Sequence, residues 1–426
     1  MKKIWTSLAA VLVAVALFVG CSAQPGSVAD TSKAQADPEP SASAEVEPPA
    51  ADTGSGDVTI WYYWETPGHQ EALNKVVQDF NAQQTKIKVE AKYVPFADFK
   101  KQLSIGASAD ELPDLVILDN PDHAAYAAMG IFADITGKFD VSTYYEGPVN
   151  SCTLDDKLYG VPFGSNCLLL FYNEDMLAAA GKKVPTTWDE LLDVAKACTK
   201  DNVSGFAHSS LQNEEGTFNF LTWLWSTGAT AYEMDSAGGV KALEMVKKMV
   251  DAGAMTKEAI NWTQGDTMNQ FISGNLAMMI NGTWQVPTMR SEVPDLNWNV
   301  APIPMDTKQA SGLGGENFAV IAGGNEDATI EFLKYATSKD VCLYMMNAMG
   351  YISSNSAIAK SQFEGDPVYQ AFVDEMQYAY ARGPLPEWPA ISDAISLAFN
   401  EVITGASAPT DAAAKAQATI NSIMAK

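Results

Sequence analysis

Histidine is nearly absent from this chain, which has only His69, His123 and His208, and no two of them share the spacing of a helical metal pair. Cysteine is scarce too, with five residues, no C-x-x-C and no Cys/His pairing at zinc spacing, so no metal site is expected. There is no G-x-S-x-G, no P-loop and no G-x-G-x-x-G; the GLGG run at 312–315 lacks the third glycine. Carboxylates are plentiful, yet no motif singles out two of them as a glycosidase pair. These absences argue against an enzyme and against any cofactor. Basic residues are also few, 27 against 52 acidic, for a net charge of −25. Such a surface repels nucleic acid and anionic lipid, which removes both as partners. No tandem repeat of 20–50 residues is found, which excludes a solenoid.

Long apolar runs are missing with one exception, at the N-terminus. Lys2 and Lys3 precede an apolar stretch over residues 4–18, closed by Val19-Gly20-Cys21. The stretch is shorter than the roughly 20 residues of a membrane-spanning helix. It reads as a secretory signal (1–20) with a lipobox, so Cys21 is the expected lipidation site. Two or three acyl chains anchor a protein stably where one does not. The localisation expected is the extracytoplasmic face of the cell membrane, held by lipid alone. Residues 21–57 carry no aromatic residue and are rich in Pro, Ala, Ser and Glu, the composition of a disordered linker.

About 370 residues remain, more than one hydrophobic core usually organises, so two domains are expected. Residues 58–64 (VTIWYYW) read as a strand and 70–83 as a helix through Leu73, Val76, Val77 and Phe80. Ile87, Val89, Ala91 and Tyr93 alternate as a second strand, and 115–118 form a third. The order predicts an α/β fold with a largely parallel sheet. Ligands of open sheets sit beyond the carboxyl ends of the strands, which points to loops 62–68 and 119–123. Thr187 and Glu190 have capping-box spacing ahead of a helix burying Trp188, Leu191, Leu192 and Ala195. Further helices are predicted over 240–250, 327–337 and 411–424, with a strand over 276–280. Cys152 and Cys167 are candidates for a disulfide; four separate buried thiols are the alternative.

Tryptophan is the unusual presence, ten residues in all. Trp61 and Trp64 end the first predicted strand, Trp284 follows the strand at 276–280, and Trp388 lies in a Pro-rich segment. A tryptophan face accepts the C–H face of a sugar ring, and its N–H adds one polar contact. Glu65, Asp119, Asn120 and Glu316 are the nearby carboxylates and amide that would meet ring hydroxyls. A single such Trp packs in a core as readily as it meets a ligand; several at strand ends favour a site.

Five blocks in order make the chain similar to the extracellular solute-binding proteins of ABC sugar importers, relatives of maltose-binding protein. They are residues 58–94, Tyr159-Gly160-Val161-Pro162 with Phe171-Tyr172-Asn173, 185–191, FISGNLAMMINGTW (271–284), and 301–304 with Gly314-Gly315, followed by 386–405. The resemblance implies a two-lobed, type II periplasmic-binding-protein-like fold, each lobe a mixed sheet flanked by helices around a ligand cleft. The first lobe would hold 58–167 and 299–352, the second 168–298 and 353–426. The chain would cross between them near 163–167, 298–304 and 349–353.

Carried onto matching positions, the resemblance implies that Trp284 is an aromatic sugar platform and that Asn166 contacts ligand at a crossing. Tyr63, Trp64, Glu65, Asp119 and Asn120 would join from the strand-end loops, and Gly315 and Glu316 from the paired glycines. Phe218 and Asn219 would come from a loop before the helix of Trp223 and Trp225, and Trp388 from the Pro-rich loop. Leu118 stands where maltose-binding protein has Trp, which puts maltose in doubt. The implied function is capture of a carbohydrate, an oligosaccharide, by a monomer that delivers it to an ABC permease. Two rivals differ in ligand or chemistry: the same fold holding a polyamine or another cationic solute, and an enzyme of glycan breakdown.

Overall fold

The computed structural model describes residues 55–109 and 111–425. The expected signal, Cys21 and nearly all of the linker lie outside the described residues. Gly56 and Asp57, expected in the linker, instead open the first strand.

The described strands are β1 (Gly56–Tyr62), β2 (Ile87–Tyr93), β3 (Leu115–Asp119), β4 (Thr153–Leu154), β5 (Lys157–Leu158), β6 (Val161–Asn173), β7 (Met278–Gly282), β8 (Trp298–Ala301), β9 (Ser311–Val320), β10 (Ile352–Ser353) and β11 (Ala379–Ala381). β4 and β5 form a hairpin of their own, and the rest join in the order β10-β6-β9-β3-β1-β2, with β7 and β8 on β6 and β11 on β9. Between the described strands, parallel pairing is made by β1–β2, β1–β3 and β11–β9, and isolated parallel bridges such as Ala207 to Met279 add to it. All pairs made by β6 are antiparallel. The sheet is thus mixed rather than largely parallel, because long strands that double back supply its middle.

Two of those strands set the architecture. The first part of β6 pairs with β9 and β10, while its second part, from Leu168, pairs with β7 and β8. β9 runs back alongside, meeting β11 with Ser311–Leu313 and β3 with Glu316–Val320. Apolar side chains accordingly collect in two clusters. One gathers Val58, Ile60, Leu73, Leu115, Ile117, Phe318 and Phe332. The other gathers Leu168 to Phe171, Phe206, Leu221, Trp223, Ile280 and Phe399. Each such side chain, fully buried, contributes about 1.5–3 kcal/mol.

These clusters are the cores of two lobes. Core membership changes along β6 between Phe163 and Cys167, along β9 between Ala310 and Phe318, and last between Ile358 and Tyr369. Val300 and Ile303, reckoned to the first lobe from the sequence, pack in the second core, and Ile358 packs in the first.

The helices predicted from periodicity are present as Pro67–Gln83, Ala237–Asp251, Glu326–Ala336 and Pro409–Met424. The helix Trp188–Cys198 buries Val194 rather than Leu192, as 3.6-residue geometry requires after Leu191. Thr187 accepts the Glu190 N–H at 3.3 Å, while the Glu190 carboxylate accepts the N–H and the hydroxyl of Thr186. A fully reciprocal capping box forms instead at Thr263 and Asp266, opening Gln264–Ile272. Cys152, Cys167, Cys198 and Cys342 are all free and buried. Among the described residues no helix is long and apolar enough to cross a membrane.

Candidate binding cleft

A cavity opens where the carboxyl ends of β1 and β3 face the second lobe. It measures about 130 Å³. Its first-lobe wall is the turn after β1. Tyr63 and Trp64 have left the strand, and the turn is held by Gln70 Nε2 donating to the Trp64 carbonyl at 2.8 Å. Pro67 at the first position of the next helix fixes its direction. Trp64 packs edge-on to His69 and tilted on Phe163, and Tyr63 stands edge-on to Phe96 and Phe99.

β9 supplies the floor. Its register places Glu316 opposite Asp119 on β3. Glu316 Oε1 accepts the Tyr63 hydroxyl at 3.1 Å and the Tyr351 hydroxyl at 2.8 Å. Burial, with repulsion from Asp119, pushes the Glu316 carboxyl up to about 8, so it holds a proton at neutral pH. Its Oε2 and the Trp64 Nε1 make no hydrogen bond of ordinary geometry. Gly314 has no room for a side chain, since a Cβ there would stand 2.2 Å from Asn166 Oδ1. Its bareness lets the Asn166 amide lie across β9.

The second-lobe wall carries the aromatic platform. A Cβ on Gly282 would fall 2.0 Å from the Trp284 ring, so only glycine lets the indole lie over the end of β7. Trp284 is half-buried, packs against both cores, and lies near-parallel to Phe218 with ring centroids 6.4 Å apart. Asn281 Nδ2 donates to the Gln264 carbonyl at 2.9 Å, tying this turn to the helix Gln264–Ile272. Gln264 N–H in turn donates to Glu215 Oε2 at 2.7 Å.

A charged bridge closes one side of the cavity. Arg382, just past β11, donates from both terminal nitrogens to the two Asp119 oxygens at 2.8 Å, and again to Glu214 Oε1 at 2.7 Å. Its guanidinium lies 4.0 Å from the Phe218 ring centroid. Trp388 Nε1 donates to Glu214 Oε1 at 3.1 Å, and Lys100 pairs with Asp122 at 2.8 Å. Burial lifts the Asp119 carboxyl above its ordinary range while Arg382 pulls it back.

Of the residues singled out from the sequence, Tyr63, Trp64, Glu65, Asp119 and Asn166 line the cavity, as do Phe218, Trp284, Gly315 and Glu316. Phe218 and Asn219 belong to the helix Glu214–Ser226 and not to a loop before it; Asn213 caps that helix. Asn219 is fully buried and donates to the Glu215 carbonyl, away from the cavity wall. Asn120 sits in the short turn Asn120–Asp122 and is also off the wall. Trp388 opens the helix Trp388–Thr404, is 1% exposed, and reaches the site only through Glu214. His69, Phe96, Glu214, Glu215, Gln264, Gln285, Tyr351 and Arg382 line the cavity without having been singled out. For Arg382 a signal existed, since the chain has only two arginines. For the others no local pattern distinguishes them from ordinary surface or core.

Two lobes joined by through-running strands around an aromatic and carboxylate-lined cavity define a solute-binding protein. The description of bacterial extracellular solute-binding proteins matches residues 75–371, and the chain belongs to that family. It is 26% identical over 390 residues to a putative binding protein of Brucella abortus, covering 87% of this chain and 94% of that one. It is also 26% identical to the diacetylchitobiose-binding protein of Streptomyces coelicolor, over 88% of this chain and 92% of the relative. An ABC transporter solute-binding protein of Thermotoga lettingae, solved with alpha-D-tagatose, superposes with a TM-score of 0.81 at 27% identity. That match covers 87% of this chain and all of the other. The α/β, two-lobed fold expected from the resemblance is the fold observed.

Proposed function

We propose that this protein captures a carbohydrate between its lobes and hands it to an ABC importer permease. It would do so as a monomer held by lipid on Cys21 at the outer face of the cell membrane. The observation that carries the ligand class is the half-buried Trp284 face, set over Gly282 beside buried polar groups on the opposite wall. A flat indole takes the C–H face of a pyranose, and Asn166, Glu316 and Gln264 offer acceptors and donors to its hydroxyls. The relatives' ligands, diacetylchitobiose and tagatose, support that class. Ligand contacting both walls stabilises the closed relation of the lobes, and the closed form is what a permease would recognise.

Thermal unfolding of the protein against a panel of mono- and oligosaccharides tests this reading. A sugar at about 100 times its Kd adds roughly 2.7 kcal/mol, a rise of a few degrees in Tm. Trp284→Ala is expected to weaken the bound sugar tenfold or more, about the loss of one stacking face. Unaltered affinity in that variant would remove Trp284 from the site, and a flat panel would remove the carbohydrate.

A further inference from the structure

Asp119 and Glu316 stand directly opposite each other where β3 and β9 pair antiparallel. Residues so placed share one face of the sheet, with Cβ atoms about 4.5–5.5 Å apart. Two carboxylates that close do not both ionise unless each has its own cation. Here the cation is one-sided. Arg382 grips both Asp119 oxygens at 2.8 Å and also donates to Glu214, which keeps the negative charge on Asp119. Among the described residues no ion pair includes Glu316.

Hydrogen bonding divides the Glu316 carboxyl in the same sense. Its Oε1 accepts from the hydroxyls of Tyr63 and Tyr351, at 3.1 and 2.8 Å. Its Oε2 has no partner, although the residue lines the cavity and is only 6% exposed. An unpartnered buried polar atom is costly, and one on a cavity wall marks where a ligand completes it. On the other side of β9 the register neighbour is Gly164, which brings no side chain.

The other titratable groups around this place add no free cation. Lys100 is held by Asp122 at 2.8 Å. His69, which packs on the Tyr351 and Trp64 rings, is lowered by burial to about 4, and His123 to about 3, so both are neutral. Glu65, Glu214 and Glu215 on the cavity wall are acids. The proton of the Asp119 and Glu316 pair therefore sits on Glu316 at Oε2, in keeping with a carboxyl raised to about 8 by burial and by Asp119.

We infer that Glu316 meets the sugar as a neutral carboxyl group, Oε2–H donating to a sugar oxygen, so that capture is linked to this proton. The inference rests on the carbohydrate reading and deepens it. A sugar seated on this wall displaces the water that would solvate an ionised Oε2. The charge would then face Asp119 with no cation to offset it, whereas the neutral acid gains a hydrogen bond. Sugar binding and proton binding at Glu316 thus favour each other by the same factor.

The test is calorimetry on the full-length protein with tagatose, maltose, lactose, cellobiose and diacetylchitobiose, and with spermidine as a sugar-free amine. The sugar that binds most tightly is carried through a pH series. Its affinity is expected to fall tenfold or more between about pH 7.5 and about pH 9.5, as the protonated, binding-competent fraction shrinks. Glu215, raised by burial to about 7, also titrates near this range, so the profile is read against Glu316→Gln. The Gln amide donates from the same place and has no proton to lose, so the fall above pH 8 should be absent. In Tyr351→Phe the fall should move to higher pH, because a hydrogen bond that favours the ionised form is gone. Titration at pH 8.5 in two buffers of unlike ionisation enthalpy should show proton uptake on sugar binding by the wild type and none by Glu316→Gln. An equal fall in both proteins, an affinity level or rising above pH 8 in the wild type, or no binding by Glu316→Gln overturns the proton linkage and leaves the carbohydrate reading standing. Binding of spermidine without any sugar, or of nothing in the set, overturns both.

Discussion

Arg382→Met is expected to lower the stability of the folded protein by about 3–5 kcal/mol, the range for breaking a buried ion pair from one side. Asp119 and Glu214 would be left facing each other beneath the cavity, both more than nine-tenths buried, with Lys100 3.8 Å from one Glu214 oxygen as partial compensation. The penalty comes from the stranded carboxylates rather than from the lost attraction. The variant Asp119→Asn/Glu214→Gln/Arg382→Met, neutral throughout, should therefore recover most of the loss. Urea unfolding of the two variants measures this. The bridge also ties the lobes, since Asp119 ends β3 while Arg382 and Glu214 belong with the second core. Parting the lobes would hydrate the two acids and reduce the cost, at the expense of a larger radius of gyration in X-ray scattering. Unchanged stability together with an unchanged radius would mean the bridge holds nothing.

Glu316→Gln should alter the pH dependence of stability more than any other single change in the cleft. The Glu316 carboxyl titrates at about 8 in the folded protein against an ordinary 4.5. Below about 4.5 it is protonated in both states and costs nothing. As pH rises, the unfolded chain releases this proton while the folded one retains it, so folding loses about 1.4 kcal/mol per pH unit until about 8. Between pH 5 and 8.5 the wild type should lose about 3–4 kcal/mol relative to Glu316→Gln. The comparison isolates this group. Burial lowers His69 and His208 to about 4, which makes stability rise with pH between there and 6.5, but identically in both proteins. Asp122 and Glu375, raised by burial to about 7, cancel in the same way. A stability difference constant across that pH range would show that Glu316 is ionised in the fold throughout.

Elements with a strong local period were legible, and so were the residues that local motifs carry. Leu73, Val76, Val77 and Phe80 recur at helical spacing, and the helix Pro67–Gln83 buries them. Trp284 could be picked out because it follows a strand and a glycine whose bareness the indole needs. Phe218 was recognised but given the wrong setting. The helix holding it begins at the cap Asn213, and its first turn, Glu-Glu-Gly-Thr, has no apolar period to announce it. Trp388 was taken for a ligand contact because loop aromatics often are, yet its N–H is bound to Glu214 and its ring is in the core.

What the chain determined by itself is an acidic α/β body with aromatics and carboxylates at its strand ends; the cleft between two lobes came from the family resemblance. Short-range periodicity and composition suffice for the α/β class, because burying one face of each helix and strand is a local requirement. Only the tertiary structure decided which charges cancel. Arg382 meets Asp119 across 263 positions of sequence and Glu214 across 168, so no window of the chain contains the pair. With that cation taken, Glu65 and Glu215 line the cavity without an ion pair among the described residues. The charge offered to a ligand is therefore a property of the folded cleft, set by which side chains the two crossing strands bring together.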